Sequence, residues 1–111
     1  MLNHIWENQL DLDETYKLKL TSVSQKDLDK LPVKIKIEIL SKHFTKLKLN
    51  PRSYSEKLHG RLKNCYSYHF GHHPEYRILF TIISFEIIIL MISKRENFYK
   101  EAYGRMLWDS F

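Results

Sequence analysis

Cysteine is nearly absent from this 111-residue chain: Cys65 stands alone. That excludes an intramolecular disulfide and any cysteine metal cluster, and it fits a reducing compartment. Long apolar runs are missing too. The longest, FTIISFEIIILMI at residues 80–92, is interrupted by Ser84 and Glu86 and falls short of the ~20 residues a membrane-spanning helix needs. Residues 1–14, MLNHIWENQLDLDE, are acidic and lack the apolar core of a signal peptide. A cytoplasmic protein with no membrane partner is therefore expected. Internal repeats and low-complexity tracts do not occur, and the length fits one domain. Acid is in deficit, with 13 Asp and Glu against 18 Lys and Arg.

The resulting charge of +5 and pI of about 9.3 favour a polyanionic partner, either nucleic acid or an acidic protein segment. The same charge also serves solubility. Aromatic residues are plentiful, with seven Tyr, six Phe and two Trp. Core burial accounts for most of them, and the remainder are available to stack on bases.

Residues 1–14 read as an N-terminal extension whose apolar members are Ile5, Trp6, Leu10 and Leu12; a short helix and an extended arm both fit. A single domain is expected over 15–111. Residues 15–23, TYKLKLTSV, alternate in polarity and predict a half-exposed strand, with Lys17 and Lys19 outward as suits a sheet edge. Ser24, with Asp27 three residues on, reads as the cap of a short helix over 25–30 that turns Leu28 and Leu31 inward. Pro32 breaks it. A second helix over 33–48 follows, with Val33, Ile37, Leu40, Phe44 and Leu47 as the expected inward stripe. Asn50-Pro51 ends it.

Residues 57–99 carry most of the chemistry. The strand expected over 65–70 puts Tyr66, Tyr68 and Phe70 on one face and Cys65, Ser67 and His69 on the other. Cys65, in this apolar and aromatic setting, reads as a buried thiol. The loop GHHPE leads to a strand over 76–83, with Tyr76, Ile78, Phe80 and Ile82 on the core face and Arg77 opposite. Ser84 and Phe85 give a tight connection, and 86–92, apolar on both faces, reads as a central buried strand. Ser93 and Glu96 match the S-x-x-E capping pattern and predict a last helix with Phe98, Ala102 and Met106 inward. The order β-α-α-β-β-β-α implies an α+β fold: two helices on a twisted antiparallel sheet, with the first strand beside the last.

In that arrangement His69 and Arg77 meet across the hairpin on the non-core face, and Arg95 follows the last strand at the same end. A helical 94–99 would put Arg95 and Tyr99 on one face. Arg61, Lys63, His72 and His73 flank the group. Such a set suits cleavage of an RNA phosphodiester. The ribose 2′-hydroxyl is the nucleophile, so neither a protein nucleophile nor a metal or other cofactor is required. A base must take its proton and an acid must protonate the leaving oxygen. Cations must stabilise the phosphorane, and arginine supplies a planar fork for its oxygens. Zinc has no suitable ligand spacing.

The residues Lys57-Leu58-His59-Gly60, Tyr76-Arg77-Ile78-Leu79-Phe80, the aliphatic run 86–92 and Lys94-Arg95-Glu96 with Tyr99 resemble, in order and spacing, the RelE/ParE superfamily of bacterial toxins. The motifs cover 57–103, and the order of elements covers 24–106. The resemblance implies a type II toxin–antitoxin system and a cognate antitoxin that wraps the toxin, with a higher-order complex as one outcome. In the RelE branch such a toxin enters the ribosomal A site and cuts mRNA. In the ParE branch the same fold poisons DNA gyrase without the nuclease residues. Arg77, Arg95 and Tyr99 match the RelE-branch arginines and tyrosine, and with His69 they form the expected catalytic set. Lys57, Arg61, Lys63, Ser67, His72, His73 and Lys94 form the expected RNA-binding set. Some RelE members carry two lysines where this chain has Ser67 and His69, which leaves His69 as the base candidate on that strand. The expected activity is that of a metal-independent, ribosome-dependent mRNA endoribonuclease. A gyrase poison and an inactive, antitoxin-binding relative are the alternatives.

Overall fold

The computed structural model describes residues 15–108. The extension 1–14 and the side chain of Met106 lie outside the described residues. The alternating stretch near the start forms β1, Lys17–Leu20, at the edge of the sheet, with its lysines exposed. Helix α1 spans Ser22–Asp29 and buries Leu28. Its cap is Thr21, whose hydroxyl accepts the Ser24 N–H at 3.1 Å. Ser24, expected as the cap, instead lies inside the first turn and donates its hydroxyl back to the Thr21 carbonyl.

Pro32 separates α1 from α2, which runs through Val33–Glu38, a wider π turn over Ile39–His43, and Phe44–Leu49. The buried side of α2 is Ile39, His43, Phe44 and Leu47, with Ile35 packed beside them. Val33, Ile37 and Leu40, expected inward, are exposed. The run V-K-I-K-I-E-I places apolar residues at every second position, so it offers two helical stripes, and the second one docks.

The remaining strands are β2, Glu56–Lys57; β3, Cys65–Phe70; β4, Tyr76–Ile83; and β5, Glu86–Lys94. The sheet order is β1-β5-β4-β3-β2. Pairing is antiparallel from β2 through β5, and β1 joins β5 in parallel. Helices α1 and α2 cover one face, where Tyr68, Phe70, Tyr76, Ile78, Phe80, Ile87, Ile89 and Ile92 form the main core with Leu28, Ile39, Phe44 and Leu47. Helix α3, Phe98–Trp108, covers part of the other face. There Phe98 and Ala102 join a smaller core with Leu58, Leu62, Cys65, Leu79 and Met91. Burial pushes the Cys65 thiol up to about 11, which leaves it a packed, inert group.

Backbone pairing with β1 stops at Ile89, so the far half of β5 needs other partners on that side. The Asp27 carboxylate accepts the Ile92 N–H at 3.0 Å and two Arg105 N–H donors at 2.9 Å. Arg105 also donates to the Leu90 carbonyl at 3.2 Å. Leu90 is the extra residue of a bulge, since Leu79 faces Met91 while Phe80 faces Ile89. Asp27, read from sequence as part of a cap, in fact ties α1, β5 and α3 together.

Candidate functional site

Period-2 alternation makes the site. His69 lies between Tyr68 and Phe70 on β3, so burying those two rings under α2 turns the imidazole to the opposite, open face. Its antiparallel partner is Arg77 of β4. Between the two strands the loop turns at Gly71, which has φ +83° and where a β-carbon would sit 2.7 Å from the Pro74 carbonyl oxygen. Only glycine fits there.

Arg77 is held on two sides. Its guanidinium lies over the Phe98 ring, 5.7 Å from the centroid, within cation–π range. Its Nε donates to Glu75 Oε2 at 3.0 Å, with both side chains largely covered. The Arg77 hydrogen bond and charge hold the Glu75 carboxyl below the ordinary carboxylate range, and His69 and Arg95 add to the effect. Glu75 thus lies within reach of all three strand and turn residues expected at the site. Sequence reasoning passed over it as a loop residue. Its position two before Arg77, hence on the same face of an extended segment, was the available signal.

Arg95 does not open a helix. It lies in a 3₁₀ turn, Arg95–Asn97, and its backbone N–H donates to the Glu75 carbonyl at 3.0 Å. Ser93, expected as the helix cap, is still in β5 and donates its hydroxyl to the Lys94 carbonyl. An open cavity of about 540 Å³ is lined by His72, His73, Pro74, Glu75, Lys94, Arg95 and Glu96. Tyr99 does not share that cavity. It lines a neighbouring one of about 390 Å³ with Lys57, His59, Leu62 and Tyr103. The 3₁₀ turn removes the i, i+4 relation expected of Arg95 and Tyr99. Phe98 links the two regions, with Arg77 on its face and the Tyr99 ring edge-on at 5.0 Å.

The flanking set divides. Lys57, Arg61, Lys63, His72, His73 and Lys94 are exposed. The Arg61 guanidinium lies 5.8 Å from the Tyr103 centroid, and Lys57 Nζ lies 5.6 Å from that of Tyr66. Ser67, expected to contact RNA, is fully buried. It is paired between Glu56 of β2 and Leu79 of β4, and its hydroxyl is buried out of reach of a ligand at the surface. Among the described residues no cluster of three His, Cys, Asp or Glu is arranged to hold a metal. None of the described helices is long and apolar enough to cross a membrane.

Comparison with known proteins agrees with this architecture. The family profile of the ParE toxin of type II toxin–antitoxin system, parDE, matches residues 18–99. Among solved structures, the chain is similar to the RelBE2 toxin–antitoxin complex of Mycobacterium tuberculosis, with 26% identity and a TM-score of 0.66 over 73% of this chain and 99% of that one. It is similar to the isolated E. coli RelE toxin, with 25% identity and a TM-score of 0.61 over 82% and 98%. A mutant E. coli RelE in the free state, at 24% identity and a TM-score of 0.64 over 83% and 98%, shares the fold. No curated protein matches the chain significantly.

Proposed function

Since this chain belongs to the ParE toxin family of type II toxin–antitoxin systems, within the RelE/ParE superfamily, we propose that it acts as a ribosome-dependent endoribonuclease on translated mRNA. The observation that carries this reading is His69 directly opposite Arg77, with Arg95 anchored beside them through Glu75. His69 takes the proton of the ribose 2′-hydroxyl, which attacks the adjacent phosphorus. Arg77 and Arg95 neutralise the charge that grows on the non-bridging oxygens. The 5′-oxygen must gain a proton as it leaves, and Tyr99, exposed in the separate cavity beyond Phe98, is the proposed acid, giving a 2′,3′-cyclic phosphate and a free 5′-hydroxyl. Lys57, Arg61, Lys63, His72, His73 and Lys94 ring the site and meet the RNA backbone. A cognate antitoxin is the expected protein partner, in keeping with the similarity to a toxin–antitoxin complex.

A second reading rests on the family profile, whose description is that of a ParE toxin: a non-catalytic poison of DNA gyrase. Induced expression separates the two. Translation arrest, with transcripts cut in their translated regions and ends bearing cyclic phosphate, supports the nuclease. DNA breaks with intact transcripts sink it and favour the gyrase poison.

A further inference from the structure

Glu75 accepts a hydrogen bond from each arginine of the site, and it does so with different atoms. Its carboxylate takes the Nε–H of Arg77, while its backbone carbonyl takes the N–H of Arg95. A guanidinium has two hydrogen-bonding edges. Glu75 uses Nε, and the Phe98 ring supports the flat face. The Nη fork meets no hydrogen-bond acceptor among the described residues. An arginine held by Nε and by its face, with the fork open, is pre-organised for two oxygens of a phosphate. Glu75 is also screened by the cations around it, which keep it ionised and therefore a constant acceptor.

Resting on the nuclease reading, we infer that Glu75 is a positioning residue that aims the Nη fork of Arg77 at the non-bridging oxygens of the scissile phosphate. It does not touch substrate and does not move a proton. Its carbonyl sets the Arg95 backbone, so side-chain replacement leaves that anchor in place; the charge that His69 and Arg95 also feel is lost equally in Glu75→Gln and Glu75→Ala, so the difference between those two variants reports the hydrogen bond to Arg77.

The test uses the full chain on ribosomes carrying mRNA, with single-turnover cleavage as the first readout. Glu75→Ala frees the Arg77 side chain, and a loss of about 10- to 100-fold in cleavage rate is expected from misplacing a catalytic group. Glu75→Gln keeps an acceptor for Nε without the charge and recovers most of that loss. In the Arg77→Ala background, Glu75→Ala adds nothing further, because the two act as one unit. Equal losses for Glu75→Gln and Glu75→Ala would overturn the inference, since they would mark the carboxylate as a proton carrier. Additive losses in the double variant would overturn it as well. A second readout is the Arg77 Nε–H resonance by NMR, titrated with a short RNA that lacks the 2′-hydroxyl at its central residue. Here wild type and Glu75→Gln keep a slowly exchanging Nε–H while the Nη signals shift, and Glu75→Ala loses the Nε–H signal. A wild-type chain that passes this measurement but cuts no mRNA refutes the nuclease reading while upholding the role of Glu75. A Glu75→Ala chain that is folded and keeps its Nε–H signal refutes the role itself.

Discussion

The two faces of the sheet solve opposite problems with the same strands. Under α1 and α2 the polar groups are closed on one another. His43 is buried in the π turn, stacked on Phe70 with centroids 4.0 Å apart. Its Nδ1 meets the Tyr68 hydroxyl at 2.6 Å and its Nε2 meets Glu38 at 2.8 Å. With Nε2 donating to the Glu38 oxygen, Nδ1 accepts from the tyrosine. Both ring nitrogens of His43 are thus used internally. On the opposite face the core is smaller, and His69, Arg77 and Arg95 stand where it runs out. Among the described residues, the Glu75 carboxylate takes the Arg77 Nε–H, the Glu75 carbonyl takes the Arg95 backbone N–H, and the Phe98 ring lies under Arg77, while His69 and Arg95 stay exposed. Satisfied polar groups make structure; polar groups left with open bonding edges make a candidate site.

Breaking the covered face gives the largest effect. Phe80 is fully buried at the centre of the main core, and Phe80→Ala should cost about 3–5 kcal/mol of stability by denaturant unfolding. On the proposed nuclease reading, breaking the open face leaves the fold in place while Arg77→Ala should lower mRNA cleavage by about 10²–10³-fold. Its melting temperature should stay close to that of wild type. An Arg77→Ala chain that cuts mRNA at the normal rate would erase the distinction between the faces.

The buried network gives the next step down. Tyr68→Phe leaves His43 Nδ1 without its donor and should cost about 1–3 kcal/mol. Burial lowers the His43 pKa from the ordinary imidazole value of 6.5, with Lys42 and Lys46 acting in the same sense and Glu38 against it. The unfolded chain therefore takes up this proton first. The contribution is full above 6.5 and is lost as pH falls from there through the lower folded value. Thermal melts between pH 7.5 and 5 should show that decline, and His43→Gln should flatten it. The smallest effect is expected at the rim, where Lys63→Ala should change stability by less than about 0.5 kcal/mol. It should also weaken RNA binding modestly and reduce its salt dependence.

The strands were legible because alternation is a local signal. Tyr68 and Phe70 against His69, or Ile78 and Phe80 against Arg77, can be sorted by polarity alone, and the same sorting placed the His69–Arg77 pair. Helix α2 was harder. Its alternating apolar run carries two stripes, and the choice between Val33/Ile37/Leu40 and Ile35/Ile39 was made by the sheet it packs on. The caps failed for a related reason. Thr21 and Ser24 are both good caps by type, and the strand's end decided between them. Ser93 matched a capping pattern, yet β5 runs on through Lys94.

At the site, residue types raised His69, Arg77 and Arg95 as candidates, and the resemblance to the toxin superfamily, rather than residue type, singled out the two arginines, since a lone basic residue at a strand end is more often an ion-pair partner. Their company was decided by the tertiary structure. A 3₁₀ turn instead of a helical start sent Tyr99 to a separate cavity, burial within the sheet removed Ser67 from any contact with RNA, and the meeting of β4 with the turn after β5 brought Glu75 to both arginines. Sequence alone determined which side chains face which way along β3 and β4, since that depends only on neighbours two apart. Which of those side chains share a bond was left to contacts between distant segments, and those exist only once the sheet has closed.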